Sequence, residues 1–328
     1  MKNKEKKIQL MLFEKIQRII PGNQALVNII SDSLNISNDA AYRRIRGDKL
    51  IDIEETVELC RIFNISLNSL AGTAGDNQIS CTLAPLDLHD TNDYLTYIQL
   101  LSSKISSLKT NPSFEILFSA ADIPLFNFLL YKELTFLNMF SWNKNMYNIP
   151  ENFEDFVSGI NSKAFSEARE NIVKCYQSIP STEIWTSNTI DSTLKLINYH
   201  YEMKHFDDKR NPLLICEQLL DMMNTLQLWI KQGSKSGNET KFRFCISEID
   251  IGNTIILFKS NGTTDCLIRL FTINCLNIAD KRFCNEAEVW LNNLVKRASL
   301  VSGNAEREGF KFFETQKQKI RFLIEAMT

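Results

Sequence analysis

Residues 24–70 constrain this chain more than any other stretch. Leu26, Ile30 and Leu34 recur every four residues and line one face of a helix. Ile36 follows, and Ser37 suits the N-cap of a second helix, because its hydroxyl can accept from a free N–H of the first turn. That second helix runs over about residues 38–46 and stops at Gly47, a residue that adopts the left-handed conformation at no steric cost. Two short helices joined by a tight turn form a helix-turn-helix. Ala41 and Ile45, four apart, point to the core, which leaves Asn38, Asp39, Tyr42, Arg43 and Arg46 on the opposite face. Asn pairs bidentately with adenine and Arg with guanine in the major groove. Arg44 and Lys49 fall to the side, where phosphates would lie. The plainer alternative is an ordinary helical pair with a solvated basic face.

These residues carry a resemblance. Gln24, Leu34, Ile36-Ser37, Arg46-Gly47, Leu59, Phe63-Asn64-Ile65-Ser66 and Leu70 stand where the DNA-binding domain of lambda-repressor-like (Cro/repressor, XRE) regulators has similar residues. The resemblance extends over about residues 8–72. It implies a five-helix, all-α domain that lays the 38–46 helix into DNA. It implies base-reading places for Asn38, Asp39 and Arg43 and a phosphate-contacting place for Lys49. Gln24 and Ser37 join Arg44 and Lys49 as candidate phosphate contacts. The chain departs from the family pattern at Tyr42, where Ser is frequent, and at Ile45-Arg46-Gly47, where Glu-Arg-Gly is frequent.

Charge follows the same division. Residues 1–50 hold ten Lys or Arg against five Asp or Glu, a balance of +5, so a net charge of −2 leaves −7 for the remaining residues. A basic head on an acidic body suggests that the head alone meets phosphate. The 328 residues suffice for two domains, and a 44% hydrophobic content reads as globular. The eight cysteines are scattered without a Cys-x-x-Cys pair, and the lysine-rich N-terminus is not a secretory leader. The expectation is a cytoplasmic protein with reduced, mostly buried thiols. His200 and His205 are five apart, not the spacing of a helical metal pair, so no metal or other cofactor is expected.

In chain order, residues 1–19 read as a basic amphipathic helix with Leu10, Leu12, Phe13, Ile16, Ile19 and Ile20 on its apolar side. Its lysines 2, 4, 6 and 7 either graze the phosphate backbone or form a solvated end. Pro21-Gly22 ends it. A helix over residues 52–63 places Leu59, Ile62 and Phe63 in the core. The reader domain is thus residues 1–72, followed by a linker at 73–90 without sustained periodicity, and a body at 91–328. In the body, helices are expected at 92–108, from Pro124 through Trp142, and at 153–178, 187–205, 212–232, 282–297 and 305–326. The aromatic run at 125–142 is broken by Lys132 and Glu133, too soon for a membrane span, and reads as a core helix, a dimer face or the roof of a ligand pocket lined by Phe126, Phe128, Phe136 and Phe140. Alternation at Phe242, Phe244 and Ile246 and a turn signal at Asn261-Gly262 suggest a three-stranded antiparallel meander over about 241–275, joined by a strand at 114–118. The last helix carries Lys311, Lys317, Lys319 and Arg321, a solvated face or a DNA contact.

The expected fold class is mainly α, with a five-helix reader and a larger helical domain bearing a small meander. No nucleophile elbow, phosphate loop, dinucleotide loop or zinc-protease motif stands in the sequence, so no enzyme is expected. The expected function is a sequence-specific transcriptional regulator that binds double-stranded DNA as a homodimer, its body serving dimerisation, the sensing of a small-molecule or protein effector, or both. The alternatives are a helical protein-interaction scaffold whose small domain docks protein, and a ligand sensor.

Overall fold

The computed structural model describes residues 2–20, 25–63, 65–67, 70, 79, 81–83, 91–109, 113–235, 240–260, 263–270, 274–301 and 306–328. Pro21-Gly22, Gln24, Asn261-Gly262 and most of the 73–90 stretch lie outside them. The chain divides into two compact units, Met1–Ser80 and Cys81–Thr328.

The first unit contains α1 (Lys2–Ile19), α2 (Leu26–Leu34), α3 (Asn38–Ile45) and α4 (Ile53–Ile62). Leu12, Phe13 and Ile16 of α1, Ile30 of α2, Ala41 of α3 and Leu59 and Cys60 of α4 form its core with Ile65 and Leu70. Leu10 faces solvent, because the buried stripe of α1 runs through Gln9, Leu12, Phe13 and Ile16 at helical spacing. Ile62 also faces out, and Cys60 takes the core place beside Leu59. The fifth helix that the resemblance implies after residue 63 falls on a stretch where Asn64, Asn68, Ser69 and residues 71–78 lie outside the described residues.

The second unit corrects the expected class: it is α/β, not mainly α. One eight-stranded mixed sheet replaces the small meander. Its strands are β1 (Thr82–Leu83), β2 (Glu115–Ser119), β3 (Ser181–Trp185), β4 (Phe242–Ile246), β5 (Ile255–Ser260), β6 (Thr263–Arg269), β7 (Cys275–Ile278) and β8 (Ser299–Leu300). They lie in the order β1-β7-β6-β5-β2-β3-β4-β8. β5, β6 and β7 form the antiparallel meander, and β2 joins it beside β5, Leu117 opposite Leu257. β4 stands apart from it. It pairs in parallel with β3, which pairs in parallel with β2.

Helices α5 (Thr91–Lys109), α6 (Leu125–Phe128), α7 (Lys132–Tyr147), α8 (Phe153–Ile160), α9 (Lys163–Gln177), α10 (Asp191–Glu202), α11 (Arg210–Gln232), α12 (Lys281–Arg297) and α13 (Glu306–Met327) complete the unit. The helix expected through Trp142 is broken between Phe128 and Lys132, where Leu130 N–H turns back to Asn127 O (3.3 Å). The helix expected over 153–178 is two, because Ser162 caps a new start by accepting from Phe165 N–H (3.1 Å). Helices cover both faces of the sheet. Ile116, Phe118, Trp185, Phe244 and Phe258 join the larger core with α5, α7, α9, α11 and α13. Leu117, Ile184, Cys245 and Leu257, one residue out of phase, join the smaller core under Cys284, Ala287, Leu291 and Leu294 of α12. At Gly309 of α13 an added Cβ would overlap Val301 Cγ1, so glycine permits that close approach.

A polar cluster lies inside the larger core. Glu183 on β3 is fully buried and accepts from Tyr176 Oη, Trp185 Nε1 (2.8 Å) and Asn127 Nδ2 (3.0 Å). Lys235, also buried, sits over the Tyr176 ring (3.5 Å to its centroid) and donates to Ser181 Oγ (2.8 Å). Burial pushes the Glu183 carboxyl up and the Lys235 ammonium down, and their mutual attraction opposes both. Among the described residues no helix is long and apolar enough to cross a membrane.

Candidate nucleic-acid interface

The two helices at the head of the first unit meet in a turn fixed by short-range chemistry. Asn35 takes φ +50°, a left-handed conformation that Asn tolerates, and Ile36 N–H returns to Ser31 O (3.0 Å). Ser37 Oγ then accepts from Ala40 N–H (3.3 Å) and starts α3. The end of α3 is closed as firmly. Gly47 at φ +75° lets its N–H reach Arg44 O (2.9 Å) and Asp48 N–H reach Arg43 O (2.8 Å), the two bonds of a Schellman motif.

Ala41 is fully buried and Ile45 half-buried, and Asn38, Asp39, Tyr42, Arg43 and Arg46 are all exposed on α3. The five candidate base-reading residues therefore share one open face. Arg46 is the most constrained of them, with its guanidinium 5.5 Å from the Tyr42 ring centroid and 3.7 Å from an Asp48 carboxylate oxygen. Both contacts are exposed, so they bias the side chain rather than lock it. Lys49 is exposed just beyond the helix. Ser37 is exposed, but its hydroxyl already serves as the cap.

Arg44 departs from its expected place beside the phosphates. It is 5% exposed, and its Nε and Nη2 bind both oxygens of Glu55 at 2.9 and 2.6 Å, while Nη1 donates to Ala40 O (3.2 Å). The reason is helical geometry. Residue 44 is three beyond Ala41, so it shares the core face, and Glu55 in the first turn of α4 lies opposite. The hydrogen bonds that Arg44 donates to Glu55 raise the Arg44 pKa above its ordinary value against the cost of burial. Arg44 is thus part of what holds α3, not of what it presents.

Gln9 is a second anchor, one that sequence reasoning passed over. Its amide donates to Arg44 O (2.6 Å) and Lys49 O (2.9 Å) and accepts from Ile51 N–H (3.0 Å). One buried side chain on α1 thereby ties down the end of α3 and the loop to α4. A polar residue in phase with the apolar stripe of α1 was the available signal.

Other candidate features are occupied by the fold. On α13, Lys317 is buried against Gln227 Oε1 (2.5 Å) and Glu314 (3.5 Å), and Lys319 pairs with Asp191 (2.6 Å). Around the expected pocket, Phe126 stacks on Tyr176 (4.4 Å between centroids), Phe136 on Phe165 (5.6 Å), and Phe140 meets Phe153 edge-on (5.6 Å). A cavity of about 10 Å³ beside Leu125, Phe128 and Met139 has room for about one water. Ser141 and His200, both buried, form a chain with the half-buried His205: Ser141 Oγ donates to Leu137 O (2.7 Å) and lies 2.8 Å from His200 Nε2, whose Nδ1 is 2.8 Å from His205 Nδ1. With the serine proton directed at a carbonyl, His200 Nε2 must be the donor to Ser141 and not a base toward it. Among the described residues no group of three His, Cys, Asp or Glu is arranged to hold a metal.

Comparison with protein families, curated proteins and solved structures finds no match to this chain.

Proposed function

We propose that this chain is a sequence-specific DNA-binding transcriptional regulator, with α3 as its reading helix in the major groove. The observation that carries the reading is the open face of α3. Five side chains suited to base edges stand together there, on a helix capped at both ends and anchored from behind by Gln9 and the Arg44–Glu55 pair. Lys49 supplies a phosphate contact beside it, Ser37 stands at the helix start, and Gln24 is a further phosphate contact inferred from the sequence alone. Helix-turn-helix readers act in pairs, so the functional form is a homodimer on half-sites about 34–36 Å apart. The second unit dimerises the protein, senses an effector, or both. A shallow groove between α10 and α13, lined by Leu194, Lys195, Asn198, Lys319 and Phe322, lies open to solvent on this unit.

Binding-site selection from random duplexes with the full-length chain tests the reading. Enrichment of one sequence is expected, with affinity falling as salt rises. Arg43→Ala should weaken the selected site by about 1–3 kcal/mol. Failure to enrich any sequence, or equal binding by wild type and variant, would overturn it. In that case the small domain as a protein-docking module becomes the better account.

A further inference from the structure

The reading face of α3 contains an anion, and an anion has no business near phosphate. Asp39 is exposed in the first turn, between Asn38 and the arginine-bearing positions. Arg43 lies four residues on, in the orientation that favours an ion pair, acid before base. Yet among the described residues Arg44 pairs with Glu55, Arg46 with Asp48 and Arg61 with Glu58, while Asp39 and Arg43 form no ion pair with each other. Two opposite charges thus project from one face as separate readers. A helix-dipole role accounts for an acid in the first turn, but not for its place on the face that bears the arginines.

An ionised carboxylate only accepts hydrogen bonds. In the major groove guanine offers two acceptors and thymine an acceptor with a methyl group, so both repel it. Cytosine offers the N4 amino donor with an acceptor on one side only, the paired guanine O6, whereas the adenine N6 amino is flanked on both sides, by its own N7 and by thymine O4. Four residues of helix rise about 6 Å, and base pairs stack about 3.4 Å apart, so Asp39 and Arg43 address positions one or two base pairs from each other.

We propose that Asp39 is a specificity-determining residue that demands cytosine within about two base pairs of the guanine taken by Arg43. The inference rests on the reading of α3 as the DNA-recognition helix, and it makes the half-site G/C-bearing. It also assigns Asp39 a second effect. The carboxylate weakens binding to every other sequence, because any mismatch brings it against acceptors.

The test is site selection with the full-length wild type, Asp39→Asn and Asp39→Ser, followed by titration of the best site and its single-base variants at fixed salt. Wild type should prefer cytosine at one position by about 10- to 100-fold. Asp39→Asn should lose that preference, gain on adenine there, and keep the guanine preference set by Arg43. Asp39→Ser keeps a residue suited to a helix start, and should bind non-cognate duplexes more tightly than wild type. An unchanged cytosine preference in both variants, or no cytosine preference in wild type, would overturn the assignment while leaving DNA binding intact. A wild type that selects no sequence overturns the DNA reading, and this inference with it.

Discussion

Removal of the Glu55 carboxylate should unfold the first unit before anything else in the protein. Glu55→Ala leaves the Arg44 guanidinium at 5% exposure with its bidentate partner gone and a single bond, to Ala40 O, remaining. Breaking a buried pair by deleting one member costs about 3–5 kcal/mol, because the surviving charge stays desolvated. A unit of this size has roughly 4–12 kcal/mol to lose, at about 0.05–0.15 kcal/mol per residue. The first unit of the variant is therefore marginal. The assay has a built-in separation. All four tryptophans, at 142, 185, 229 and 290, belong to the second unit. Helical circular dichroism follows both units in urea, whereas tryptophan emission follows the second alone. Glu55→Ala should bring an early helical transition, shifted down by on the order of 2 M urea, with the tryptophan transition unmoved. Replacing both partners, Arg44→Met with Glu55→Leu, should restore most of the loss, since a packed apolar pair is often as stable as a buried ionic one. A single variant no weaker than an ordinary surface substitution would refute the argument that Arg44 is held from within.

Two further outcomes concern the second unit. Lys235→Met removes the buried donor to Ser181 Oγ and the cation over the Tyr176 ring, and should lower stability by about 1–3 kcal/mol; the Trp185 indole, which donates to the neighbouring Glu183, makes emission a direct probe, and an unmoved transition would show that these contacts contribute nothing net. Burial, His205 and Lys144 together hold the His200 pKa down to about 4, below its ordinary 6.5. The unfolded chain then takes up a proton that the folded chain resists. The stability contributed by neutral His200 is fully present above about pH 6.5 and is lost as pH falls toward 4, by on the order of 2–3 kcal/mol. His200→Gln should flatten that part of the urea-midpoint profile, and a profile as steep as wild type would remove His200 from the account.

The sequence by itself determined the bounds of the four described helices of the first unit to within a residue or two. Its signals are local: the four-residue spacing of Leu26, Ile30 and Leu34, the hydroxyl of Ser37, and Gly47 where the chain must turn left-handed. Such features act within one or two turns of helix, and a reader sees them without knowing what lies across the core. The exposed face of α3 followed from the same periodicity. Arg44 and Gln9 did not, because their partners are 11 residues and at least 35 residues away, and only packing brings them together. In the second unit the balance reverses. β3 begins after Pro180 and puts Glu183 on its inner face, so its pattern is neither alternating nor continuously apolar, the two marks of a strand. Whether β4 pairs with the strand that follows it in sequence or with β3 is a long-range choice, decided by burying Phe242 and Phe244 under α11 and α13 and Cys245 on the other side. Residues 242–246 read alike in a meander and in a parallel sheet. Tertiary burial on both faces, which no local period records, made this unit α/β.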